Sequence, residues 1–169
     1  MAAATVTLNS WGRVASTGNT QLNITINANG ATYATGTGGL PFDLAGVLIQ
    51  AAGGQGALNP RDQAYVNPLD IVGFEPLGSS TGGYLPSNFA VGTSTYTTAV
   101  GSGYGSAAGL PPAGSSQGFE TDQVLATCPC TIRLRGGAAS GAALAEVSDG
   151  ANSDVFTGVL LLATGGVNN

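Results

Sequence analysis

Between Gln21 and Ala28 the chain alternates apolar and polar side chains. Leu22, Ile24, Ile26 and Ala28 fall on one face, and Asn23, Thr25 and Asn27 on the other. Successive side chains of a β-strand point to opposite faces, so a period of two marks a strand; a helix would scatter the same residues around its axis. A strand apolar on one face only is half-buried, and the chain must therefore build a sheet with a covered side. Asn29-Gly30 follows, the pair best suited to a two-residue type I′ hairpin. Ala31 to Thr35 then reads as the returning strand.

The rest of the chain supports the same class. Its 28 glycines and eight prolines are spread along the whole length and oppose long helices. Thr5 to Asn9 places Val6 and Leu8 on one face. Gly46 to Ala51 holds Val-Leu-Ile and reads as a strand, as does Leu69 to Glu75 between Pro68 and Pro76. Thr93 to Val100 reads as a polar or edge strand, and Val124 to Arg135 and Asp154 to Thr164 as the late strands. Val155 to Leu162 is apolar on both faces, the pattern of a strand covered twice, by a second sheet and by a partner subunit. Helix is expected in two places at most: one turn over Leu40 to Ala45, and Ala138 to Val147, which Gly141 interrupts. The segment 101–118 has no periodicity and reads as a long loop, arm or linker. The expectation is an all-β single domain over residues 1–169, a β-sandwich or jelly-roll-like barrel with long Gly-rich loops. Residues 1–10 are available as an extended N-terminal arm and 101–118 as a flexible loop.

Charge narrows the function. Only 8% of residues are charged, against ~25% in ordinary soluble domains. There is no Lys and no His; the cations are Arg13, Arg61, Arg133 and Arg135, and nine carboxylates leave a net charge of -5. The surface must therefore be built from Thr, Ser, Asn, Gly and Ala, which suits close contact with protein because few charges need desolvating. Nucleic-acid binding draws on clustered Lys and Arg, and only Arg133 and Arg135 lie close together, so no nucleic-acid partner is expected. Met1 is followed by Ala-Ala-Ala-Thr rather than by a basic and then a leucine-rich region, and no apolar run reaches membrane-spanning length. The expectation is a chain made in a cytoplasm, with no membrane partner and with both cysteines reduced.

The motifs that suggest chemistry fail on their own terms. Gly36-Thr-Gly38-Gly39 looks like a phosphate loop, but a Walker loop needs a lysine and the chain has none. A dinucleotide fingerprint needs a last glycine where Pro41 stands. Cys128-Pro129-Cys130 lacks the further ligands of a zinc site and the spacing of a redox pair. As part of a strand it makes sense: Cys128, Cys130, Ile132 and Leu134 share one face, and Arg133 and Arg135 the other. Buried free thiols are expected. A Ser-His or Cys-His nucleophile is excluded without histidine. The nine acids are scattered and suggest no catalytic pair, and Asp149 to Asp154 lacks the spacing of a calcium loop and reads as a solvated turn. No catalytic residue, metal or cofactor is expected. Arg133 and Arg135, on so charge-poor a chain, either pair with carboxylates of this chain or a partner, or form an ordinary solvated face.

The order of features carries a resemblance. An alternating strand leads to Asn29-Gly30 and Tyr33…Gly38-Gly39-Leu-Pro-Phe-Asp43; much later come Thr131-Ile-Arg-Leu-Arg135, Ala143-Leu-Ala-Glu146-Val147 and Phe156-Thr-Gly-Val-Leu160. This resembles the capsid decoration, or cement, proteins of tailed bacteriophages. It covers the two ends of the chain and not residues 53–118. The resemblance implies a non-enzymatic protein, commonly a homotrimer, that binds the major capsid protein on the outside of an icosahedral head and bridges capsomers. It implies a place in the virion, after assembly in the host cytoplasm. Arg133, Arg135, Phe42 and Asp43 are then the interface candidates. Other readings are a neck, tail or head-fibre component that binds glycans through exposed aromatics such as Tyr96 and Tyr104, or a hydrolase built on two carboxylates.

Overall fold

A computed structural model describes residues 2–13, 19–51, 71–78, 80–98, 123–136 and 143–162. These residues form antiparallel sheets with one short helix, an all-β fold. The strands are β1 (Thr5–Arg13), β2 (Thr20–Asn27), β3 (Ala31–Tyr33), β4 (Leu40–Asp43), β5 (Ile71–Pro76), β6 (Leu85–Val91), β7 (Thr95–Thr98), β8 (Gln123–Thr127), β9 (Pro129–Gly136), β10 (Ala145–Glu146), β11 (Gly150–Asn152) and β12 (Val155–Leu162). The helix α1 is Ala45–Ala51.

One sheet runs β1-β2-β12-β5. In it the alternation of β2 does what the sequence requires: Leu22, Ile24 and Ile26 are buried, and Asn23, Thr25 and Asn27 are not. A second sheet is organised around β9, which pairs with β4 over its first half, with β10 at its end and with β6 along its length. Two ribbons, β11-β3 and β7-β8, complete the pairing. The buried side chains of the two larger sheets belong to a single core cluster, with Leu22, Ile24 and Leu160 from one and Leu40, Ile132 and Leu134 from the other. A chain of rings crosses it: Phe156 lies edge-on to Phe74, Phe74 packs on Phe89 at 5.6 Å, and Phe89 stacks on Phe42 at 6.2 Å. Gly158 is where this packing is closest, since a Cβ there would strike the Phe74 ring.

Phe89 reaches the core through a bulge. Ser87 pairs with Arg133 and Ala90 with Thr131, so two residues of β6 stand opposite Ile132. Asn88 takes φ 48 there, the one non-glycine residue with positive φ among the described residues. Asn tolerates the left-handed region better than most side chains, and the kink it allows turns the next residue inward.

Several local expectations need correction. Asn29-Gly30 makes a turn, with the Ala31 amide donating to the Ala28 carbonyl at 2.7 Å, but no hairpin. Gly30 alone has positive φ, whereas a type I′ turn needs it at both central residues. The strand that follows, β3, pairs with β11 rather than β2, and the neighbours of β2 are β1 and β12. Gly46 to Ala51 is helix, not strand. Leu44, Val47, Leu48 and Ala51 are buried at helical spacing, and the Ala45 amide donates to Asp43 Oδ1 at 2.7 Å at the helix entry. Leu40 to Asp43, expected to start a helical turn, is strand, with Leu40 and Phe42 buried on its inner face. Val124 to Arg135 is two strands in different sheets, broken at Cys128, where Pro129 opens β9 without an amide to donate.

The N-terminal segment is not a free arm over its described part. Ala4 bridges Phe42 and β1 pairs with β2 throughout, as the Val6 and Leu8 alternation favours. The Ala138 to Val147 helix falls partly outside the described residues, and its described end, Ala145–Glu146, is strand. The loop 101–118 lies outside the described residues altogether. On β12, Phe156, Leu160 and Leu162 are buried, while Val155, Val159 and Leu161 on the opposite face are only half-buried.

Candidate interaction surface

β9 sends Cys130, Ile132 and Leu134 into the core and Thr131, Arg133 and Arg135 outward. The two arginines share a face, as the alternation requires, but their surroundings differ.

Arg133 belongs to a network within the chain. Its Nη1 forms an ion pair with Glu146 Oε1, and its Nη2 donates to the Thr35 carbonyl at 3.4 Å. The same Glu146 oxygen accepts from the Tyr33 hydroxyl at 2.9 Å, and that hydroxyl accepts from the Leu134 amide at 3.1 Å. The Thr35 amide donates to Asp149 Oδ1 at 2.7 Å. Together these bonds hold the 3₁₀ turn Thr35–Thr37 against β9 and β10. They also set protonation. The Tyr33 hydroxyl and then Arg133 hold Glu146 below the usual carboxylate range, and the Thr35 amide does the same for Asp149. Burial pushes the Tyr33 phenol above its ordinary value, against the Leu134 amide, which stabilises the phenolate. The turn itself depends on Gly39, whose φ is 106 and whose Cβ would strike the Ile132 carbonyl oxygen. The glycine-rich stretch is thus a bend docked on β9.

Arg135 makes no ion pair in this network, though its charge adds to that of Arg133 in favouring the Glu146 carboxylate. Its Nε is shielded from solvent and has no hydrogen-bond partner among the described residues. Its register partner on β6 is Leu85, and Glu146 of β10 sits on its other side. Leu85 and, one residue before β10, Leu144 are both exposed, so this strand end carries exposed aliphatic side chains as well as the Glu146 carboxylate, whose charged form Arg135 favours.

Phe42 and Asp43 are differently placed. Phe42 is 2% exposed and its ring stacks in the core, so it offers no side-chain surface to a partner. Asp43 caps the entry to α1 and accepts from the Cys128 amide at 3.1 Å, joining two elements of its own chain. An open groove of about 340 Å³ beside them is lined by Pro41, Ala90, Val91 and Pro129, with Asp43 as its one acid. Of the four interface candidates, Phe42 is buried, Asp43 and Arg133 bond within the chain, and Arg135 lies beside Glu146 with its Nε left without a hydrogen-bond partner among the described residues.

The cysteines are free and buried, and the Cys130 thiol donates to the Cys128 carbonyl at 3.5 Å. The adjacent Cys128 side chain and burial push the Cys130 thiol far above its usual range. Among the described residues no three His, Cys, Asp or Glu side chains converge as metal ligands, and no helix is long and apolar enough to cross a membrane. The side chain of Tyr96 and all of Tyr104 lie outside the described residues.

Sequence reasoning missed Tyr33, Glu146 and Asp149 as a working group. Tyr33 and Glu146 are 113 positions apart, and no local pattern announces their meeting. Comparison with protein families, with curated proteins and with solved structures found no match to the chain.

Proposed function

We propose that the chain is a structural virion protein, a decoration or cement protein that binds the major capsid protein on the outer surface of an icosahedral phage head and bridges capsomers as a homotrimer. Its two larger sheets are read here as a β-sandwich of the jelly-roll type.

The observation that carries this reading is the outer face of β1, β2 and β12. Thr7, Thr25 and Thr157 stand side by side across the three strands. Around them Asn9 Nδ2 donates to Thr25 Oγ1 and Asn23 Nδ2 to Ser10 Oγ, each at 2.8 Å. Thr5, Gln21 and Asn27 extend the same uncharged face. Side chains bonded to one another across strands lose little freedom on binding, and an uncharged face costs little to desolvate. Such a surface suits broad contact with another protein, and many copies around a shell, joined as trimers, raise avidity without a strong single contact.

The test is co-sedimentation of the purified protein with heads assembled without it. Saturable binding to the expanded shell supports the proposal; absence of binding at saturating concentration refutes it.

A further inference from the structure

Two exposed patches on this chain are complementary. The first surrounds Arg135, whose Nε has no hydrogen-bond partner among the described residues, with Leu85 43% and Leu144 51% exposed beside it. The second lies on β5, at the edge of the β1-β2-β12-β5 sheet. There Glu75 is exposed and stands opposite Val159, with Val72 64% and Leu77 59% exposed on either side along the strand. Glu75 has no salt bridge among the described residues. Val159 and Leu161 of β12, half-buried, continue this apolar face. Each patch thus holds one charge beside exposed aliphatic side chains, and the charges are opposite: Arg135, which also acts on Glu146 of its own chain, and Glu75, which has no ion pair among the described residues. Of the six large hydrophobic residues exposed among the described residues, four lie in these two patches.

We propose that the patches bind each other between copies of this chain: the Glu75 edge of one copy docks on the Arg135 face of the next. The carboxylate meets the guanidinium, and the apolar flanks exclude water around the pair. A contact between two different patches is heterologous and forms a ring when its rotation closes. The inference deepens the decoration-protein reading, from which it takes the trimer as the expected ring.

The experiment is a solution mass by sedimentation, without shells, for the full chain and for R135E, E75R and the R135E/E75R swap. Wild-type protein is expected at three times the 16.5 kDa chain mass. Each single reversal sets like charges face to face and is expected to weaken association on the order of a hundredfold. The swap restores the pair and should restore the mass, which also shows that neither change merely unfolds the chain. A wild-type protein that stays at 16.5 kDa at every concentration, single variants that keep the wild-type mass, or a swap that fails to recover it would overturn the inference. Because no shell is present, these failures are separate from failure of head binding: a monomer that still binds heads removes the docking and the trimer and leaves attachment to the head standing.

Discussion

Replacing Tyr33 with Phe removes one oxygen that serves two partners. The Glu146 carboxylate loses a donor, and the Leu134 amide, on a buried residue, loses its acceptor. An unsatisfied buried donor costs about 1–3 kcal/mol, so Tyr33→Phe should lower the denaturation free energy by that amount, read from urea melts. The carboxylates give a pH signature. Glu146 and Asp149 are held below their unfolded values by partners that favour the charged form. Depressed carboxylates contribute stability that is present above the unfolded value and lost as pH falls through the folded value. The urea midpoint should therefore fall on acidification below about pH 4. In the double variant Glu146→Gln/Asp149→Asn that fall should be shallower; an identical slope would show that these bonds do not contribute.

At the scale of elements, legibility followed the range of the interaction. The alternation of β2 and β9 is local, and both are strands with the expected inner faces, while β12, apolar on both faces, is a strand whose inner side the sequence does not mark. The Asn29-Gly30 turn is local too, but where the chain goes next is not. β2 prefers β12, more than a hundred residues later, because Ile26 and Phe156 share a row in the core. In α1 a short apolar run is ambiguous between strand and helix, and the deciding signals were there: the Leu44, Val47, Leu48, Ala51 spacing and the acid at Asp43. The bulge in β6 left no such sign beyond an asparagine. It can be tested directly. Asn88 sits at φ 48, so Asn88→Gly should be tolerated, while Asn88→Val should cost roughly 1–2 kcal/mol in urea melts. Equal losses in both variants would mean that the side chain of Asn88, and not its backbone, is what the bulge needs.

At the scale of the molecule, the main features are a continuous core and a surface almost without charge. The core encloses both thiols, with Cys128 0% and Cys130 2% exposed. Neither should react with a thiol reagent in the native protein, and both should react in denaturant; rapid native labelling would place them at the surface. The charge pattern was legible in the sequence as a scarcity, but not as a distribution. Arg133 and Arg135 look equivalent two residues apart, and the structure gives one an ion pair with Glu146 and leaves the Nε of the other without a hydrogen-bond partner among the described residues. The proposed role as cement rests on this surface. A protein that braces neighbouring capsomers must raise the temperature at which a filled head releases its DNA, and not merely bind. The decisive measurement is that release temperature for heads assembled without this chain, before and after purified protein is added back. The account predicts a rise that saturates with bound protein; heads that bind it and release DNA at an unchanged temperature would contradict it.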